Sequence, residues 1–141
     1  MPRMSPCDPW RRLQEQPHVR LVSHEGGAMG WADHVRQTVS LRAGMTWAER
    51  RCTLLHELLH LDRGPQPPGL RAKDEEAVRR QTARELLPDV RAIGEALAWA
   101  PCLSEAAEEL GVDVFVLRKR LRHLGTSERS YLSRRLDGSG S

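Results

Sequence analysis

Hydrophobic spacing divides the chain into an extended part followed by a helical part. Residues 18–23 (HVRLVS) alternate apolar and polar side chains, the period of a half-buried strand, with Val19 and Leu21 on one face. Glu25-Gly26-Gly27 marks a turn. Residues 28–42 continue as one or two strands, with Val35, Thr38, Val39 and Leu41 at β-compatible positions, and Ala43-Gly44 ends them. From Thr46 the period becomes helical. Thr46 is a predicted N-cap, and Glu49 three residues later completes a capping box. That helix carries Trp47, Leu54, Leu55, Leu58 and Leu59 and runs to about residue 61, because Gly64 and the proline-rich stretch 65–69 cannot continue it. A second helix is predicted over 73–87, stopped by Pro88, and a third over 89–99, with Val90, Ile93, Ala96 and Leu97 on one side. Residues 104–110, the turn Gly111-Val112-Asp113 and residues 114–124 read as two short helices around a tight turn, and 127–136 as one more. Four stretches follow: an irregular start (1–17), a core (18–100), a C-terminal helical segment (101–136) and a Gly/Ser tail (137–141).

Composition narrows the class without naming a chemistry. At 141 residues the chain is long enough to bury a core without staples. Mean hydropathy is -0.56, and no apolar run approaches the roughly 18–20 residues that span a bilayer. Residues 1–17 mix Pro, Arg and Trp and hold no apolar signal-peptide core. Cys7, Cys52 and Cys102 are odd in number and widely spaced, which fits neither a disulfide framework nor a Cys-x-x-Cys site. These features predict a cytoplasmic protein with no membrane role. The net charge of +3 comes almost wholly from Arg, since Lys73 and Lys119 are the only lysines. Bulk charge of that size does not by itself imply nucleic acid.

The chemistry-bearing element is His56-Glu57-Leu58-Leu59-His60. Residues four apart on a helix share a face, so both imidazoles reach one ion while the neighbouring Glu57 holds a water. Two His bind Zn²⁺ in this arrangement and the Glu is the general base. A catalytic zinc needs a third protein ligand, and Asp74-Glu75-Glu76 opens the next predicted helix. On that helix Val78, Thr82, Ala83 and Leu86 define the apolar face. At about 100° per residue Glu75 points to its centre and Glu76 to its margin. Glu75 is therefore the expected ligand and Glu76 the alternative. Asp62, two residues past His60, falls on a different face.

Residues 50–60 (RRCTLLHELLH) resemble the active-site helix of the ImmA/IrrE metallopeptidases, and Glu75-x-x-Val78-x-x-x-Thr82-Ala83-Arg84-x-Leu86-Leu87-Pro88 is similar to that family's Glu-ligand helix. The strand pair that leads into the helix, residues 30–45, fits as well, so the resemblance covers about residues 18–88. It implies an α+β fold: a small zincin-like peptidase core, in which a short β-sheet packs on the His-Glu-x-x-His helix and a Glu-bearing helix; the spacing in residues 101–136 adds to it a C-terminal helical, helix-turn-helix-like appendage. It also implies a bacterial or phage-encoded zinc endopeptidase of gluzincin type. Its substrate would be a helix-turn-helix repressor, whose cleavage derepresses phage, mobile-element or stress genes. An oxyanion donor is also expected, for which His24, His34, His123 and Tyr131 are candidates.

The C-terminal segment admits other functions. Ala107, Gly111 and Leu117 have helix-turn-helix spacing. Between residues 111 and 135, Arg118, Lys119, Arg120, Arg122, Arg129, Arg134 and Arg135 face only Asp113 and Glu128, a local charge of +5. Arg118, Lys119, Arg120 and Arg122 are the candidate contacts to nucleic acid, or to a docked protein partner. The rival to the peptidase is thus a non-proteolytic DNA-binding or antirepressor protein, or a sensor, with a structural zinc. The blander features are Cys52 as a small core residue, Trp31, Trp47 and Trp99 as core or rim packing, and Arg50 and Arg51 as salt-bridging surface residues.

Overall fold

The computed structural model describes residues 8–138. Along them run α1 (Pro9–Gln14), β1 (Arg20–His24), β2 (Gly30–Asp33), β3 (Thr38–Arg42) and α2 (Trp47–Arg63). After a 3₁₀ turn (Pro68–Leu70) come α3 (Arg71–Leu86), α4 (Val90–Trp99), α5 (Leu103–Leu110), α6 (Val114–Arg122) and α7 (Thr126–Gly138). This is a small, mostly helical α+β protein with seven helices and one three-stranded sheet among the described residues. None of the described helices is long and apolar enough to cross a membrane.

Several boundaries differ from the sequence reading. The stretch expected to be irregular holds α1, because the Asp8 carboxylate accepts the Trp10 N–H and Pro9 occupies the first turn, where its missing N–H costs nothing. The first strand sits two residues later than its alternation suggests, and residues 28–42 resolve into two strands. The Asp33 carboxylate turns the chain between them by accepting the N–H groups of Val35 and Arg36. α3 starts at Arg71, and the 3₁₀ turn occupies part of the expected loop. Of the expected tail, Asp137 and Gly138 are helical and residues 139–141 lie outside the described residues, as does Cys7.

β3 is the central strand, parallel to β1 and antiparallel to β2. Val39 and Leu41 project from it onto α2 and meet Leu54, Leu58 and Leu61, with Trp10 and Leu13 of α1 closing that cluster. The opposite side of α2 presents Cys52, Leu55 and Leu59 to a second cluster, which takes in Val78 and Leu86 of α3, Ile93 of α4, Ala106 of α5, Leu117 of α6 and Leu132 of α7. α2 is therefore buried on two faces. The rows 54/58/61 and 52/55/59 follow the i, i+3, i+4, i+7 rule, which leaves Thr53, His56, Glu57 and His60 on the remaining stripe. Each buried leucine of the motif contributes on the order of 1.5–3 kcal/mol, and together they fix the rotation of that stripe. The second cluster crosses the division expected at residue 101, so the C-terminal helices share a core with α2 and α3.

Two glycines permit close approaches that set the site. At Gly30, on β2, a Cβ would collide with Thr53 Cγ2 and stand 3.3 Å from Glu57 Cγ, so only glycine lets this strand lie so close to α2 beside the motif. Gly111 ends α5 in the left-handed region (φ 72°) and its carbonyl accepts a hydrogen bond from Arg51, at 2.9 Å. Arg51 is thus buried and tethers the α5–α6 turn to α2, a packing role rather than the expected surface salt bridge.

Candidate metal centre

His56 and His60 leave α2 one turn apart and their Nε2 atoms come to 3.2 Å from one another. Glu75, from the first turns of α3, spans both. Its Oε1 lies 2.8 Å from His56 Nε2 and its Oε2 lies 2.8 Å from His60 Nε2. The Glu57 carboxylate lies with the two rings, so these three residues alone hold three ligand atoms within 4.8 Å of one another and could hold a metal ion. Glu76, the alternative ligand, faces away and pairs with Lys119 at 3.0 Å. Asp62 also faces away, and is bound by Arg12 and Gln16.

The donor chemistry fits a cation. The far nitrogen of His60, Nδ1, is 3.0 Å from Asp74 Oδ2. Donation from Nδ1 to that carboxylate leaves the His60 Nε2 lone pair pointing at Glu75. Two ring nitrogens and two carboxylate oxygens at such distances are stable only with positive charge among them, supplied by a proton or a metal ion. The electrostatics follow from the same contacts. Hydrogen bonds to His56 and then His60 hold Glu75 far below the usual carboxylate range. The hydrogen bond to Glu75 pushes His60 up. Glu57 is 7% exposed, and this burial raises its pKa against the opposing pull of the two histidines, as suits a proton acceptor near neutral pH.

Asp74 and Arg63 adjoin the histidine pair, and the sequence reading gave neither a role there. The wheel centred Glu75 on the apolar face, but the residue buried there is Asp74, 7% exposed and one turn before Val78, whereas the Glu75 side chain remains 37% exposed to the cleft. The reason is the start of α3: its first turns overhang the end of α2, so the side facing α2 meets His60 and Arg63 instead of leucines. Arg63 donates to the Asp74 carboxylate. Burial alone would raise Asp74, but Arg63 and then His60 together hold it below the usual range. The four-residue step from Asp74 to Val78 is the signal that marks it. Such a carboxylate behind a ligand imidazole fixes the ring's tautomer and orientation.

No family model matches the chain. Neither a curated protein nor a solved structure matches it either.

The histidine stripe forms the floor of a cleft of about 980 Å³, walled by β2 with the loop before it, by α3 and by α6. The four candidate cations of α6 divide there. Arg118, Lys119 and Arg122 line the cleft. Arg120 does not: it is 3% exposed, donates to the Leu87 carbonyl and is clamped by Glu128, so it is removed from the contact set. Of the four oxyanion candidates only His34 lines the cleft. His24 is held by Ser40 and the Ala28 carbonyl, His123 approaches Glu76, and the Tyr131 ring packs near Gly94. Cys52 is buried as expected, and desolvation pushes its thiol up to about 12, so it is inert. Of the tryptophans, Trp31 packs at the rim of the cleft and Trp47 at the surface against Arg51, within the expectation of core or rim packing, whereas Trp99 is 86% exposed.

Proposed function

We propose that this protein is a zinc-dependent endopeptidase. The observation that carries the reading is one carboxylate, Glu75, spanning two histidine nitrogens 3.2 Å apart, beside a second, buried carboxylate on the floor of an open cleft. That nitrogen separation is close to the roughly 3.3–3.4 Å edge of a tetrahedron with zinc–nitrogen bonds of about 2.0–2.1 Å. His56, His60 and Glu75 would hold the ion, with Asp74 orienting His60. Bound there, zinc supplies Lewis acidity to a scissile carbonyl and lowers the pKa of a water. Glu57 accepts a proton from that water at its carboxylate and delivers it to the leaving nitrogen, which its burial favours by keeping its proton affinity high. The cleft supports a catalytic over a structural site, since structural zinc is enclosed by four protein ligands.

The resemblance of residues 50–60 and 75–88 to ImmA/IrrE metallopeptidases supports the zincin-like core and a regulatory substrate, a helix-turn-helix repressor, and the spacing of Ala107, Gly111 and Leu117 supports a helix-turn-helix-like α5–α6 pair. The inward-facing Arg120 weighs against a DNA-reading role for α6. Glu57→Gln tests the reading. It should retain zinc by elemental analysis and lose cleavage of a co-expressed helix-turn-helix repressor by about 10²–10⁴-fold. Unchanged cleavage in that variant overturns the peptidase.

A further inference from the structure

α6 turns one continuous stripe to the cleft. Phe115, Arg118, Lys119 and Arg122 stand at i, i+3, i+4 and i+7 and all line it. The charges on this wall are unequally matched. Lys119 is held by Glu76, and Arg79 on α3 by Glu75. Arg118 and Arg122, one turn apart and exposed, have no ion pair or hydrogen bond among the described residues. The acids that line the cleft are otherwise engaged: Glu57 and Glu75 belong to the metal centre, and Asp113 caps α6 through the Val116 N–H. Phe115 is 72% exposed beside the two arginines, and Trp31 of β2 is exposed on the same cleft.

The geometry points to an acidic segment of the substrate chain, interleaved with apolar side chains, as the occupant of this wall. The inference rests on the peptidase reading and adds the substrate's local chemistry. Arg118 and Arg122 receive its carboxylates, Phe115 covers an intervening apolar side chain, and the uncompensated positive wall steers acidic chains into the cleft. A peptide is favoured over a nucleic acid because these arginines stand on the wall of a concavity whose floor is the histidine stripe, with the aromatic Phe115 on the same stripe of the helix.

The test uses the full chain carrying Glu57→Gln and loaded with zinc, so that binding is read without turnover. The probes are two fluorescein-labelled dodecapeptides of alternating Leu and Glu or alternating Leu and Gln, followed by anisotropy. The Glu peptide should bind about five- to tenfold more tightly at low salt, with the gap narrowing as salt rises. Arg118→Glu/Arg122→Glu should abolish or invert that preference. Arg129→Glu/Arg134→Glu, an equal charge change at exposed positions away from the cleft, should leave it intact. Absence of a preference, or its equal loss in both double variants, overturns the inference. So does a DNA duplex that binds more tightly than the Glu peptide and is lost with Arg118 and Arg122. If the wild type cleaves no peptide while the charge preference holds, the peptidase reading fails and acidic-segment binding stands. If it cleaves Glu and Gln peptides equally, the peptidase stands and this inference falls.

Discussion

α2 is the floor and α6 one wall of a single cleft, and they are held in different ways. α2 is gripped on two faces by apolar side chains, with Leu54, Leu55, Leu58 and Leu59 almost fully buried, so the direction of its polar stripe is set chiefly by packing. α6 buries only Leu117 and Arg120 completely, and its position depends on charge: Arg120 to Glu128 and the Leu87 carbonyl, Lys119 to Glu76. A floor fixed by packing keeps ligand geometry constant, as metal chemistry requires. A wall fixed by ion pairs is sensitive to salt and pH, as substrate recognition tolerates.

The contrast breaks first at α2. Leu58→Ala should cost about 2–5 kcal/mol in urea unfolding, by lost burial and a residual cavity, while Leu121→Ala on the half-buried side of α6 should cost about half as much. Equal losses would mean that floor and wall are gripped alike. Next comes the α6 clamp. Glu128→Gln leaves Arg120 buried without its counter-charge and should cost about 2 kcal/mol, reduced from the 3–5 of a fully buried pair because the Glu128 side chain is 22% exposed. The Arg120 hydrogen bonds, chiefly, depress Glu128 from 4.5 to about 2. Its contribution is therefore complete above about pH 4.5 and lost as pH falls toward 2. Unfolding midpoints measured from pH 6 down to pH 2 should fall more steeply in the wild type than in Glu128→Gln, and parallel curves would refute the clamp. The smallest expected effect sharpens the account of the floor. Asp74→Asn should keep the fold and weaken metal affinity about 10–100-fold, read by competition with a chelator, since it withdraws the charge that orients His60. Unchanged affinity would reduce Asp74 to a partner of Arg63.

The same contrast explains what was legible in the sequence. On α2 the polar residues alternate with leucines whose spacing assigns each a face, so the helix, its capping box and the convergence of His56, Glu57 and His60 follow from residue order. Glu75 is brought to both histidines although its neighbour Asp74 is the buried one, because the wheel averages over α3 and cannot see that the first turns overhang α2. In α6, three consecutive cations, Arg118, Lys119 and Arg120, give no pattern by which to separate them, and only the core cluster and Glu128 reveal that Arg120 turns inward. α1 escaped notice because six residues carry too little periodicity, although Asp8 and Pro9 are a start signal. Trp31 and Trp47 lie at the rim, and only Trp99 departs from the expected core or rim packing, since no periodicity tells a rim position from an open one.

The core shared by α2 and the later helices has a consequence for how the protein is made. Synthesis delivers both histidines, Glu57 and Glu75 before α4–α7 leave the ribosome, yet the cluster of Cys52, Leu55, Leu59 and Val78 is completed by Ile93, Ala106, Leu117 and Leu132. A nascent chain therefore carries every candidate ligand while the apolar backs of α2 and α3 are still incompletely covered. The helices that bring the basic wall also complete that core, so the candidate centre is assembled together with that wall and not ahead of it.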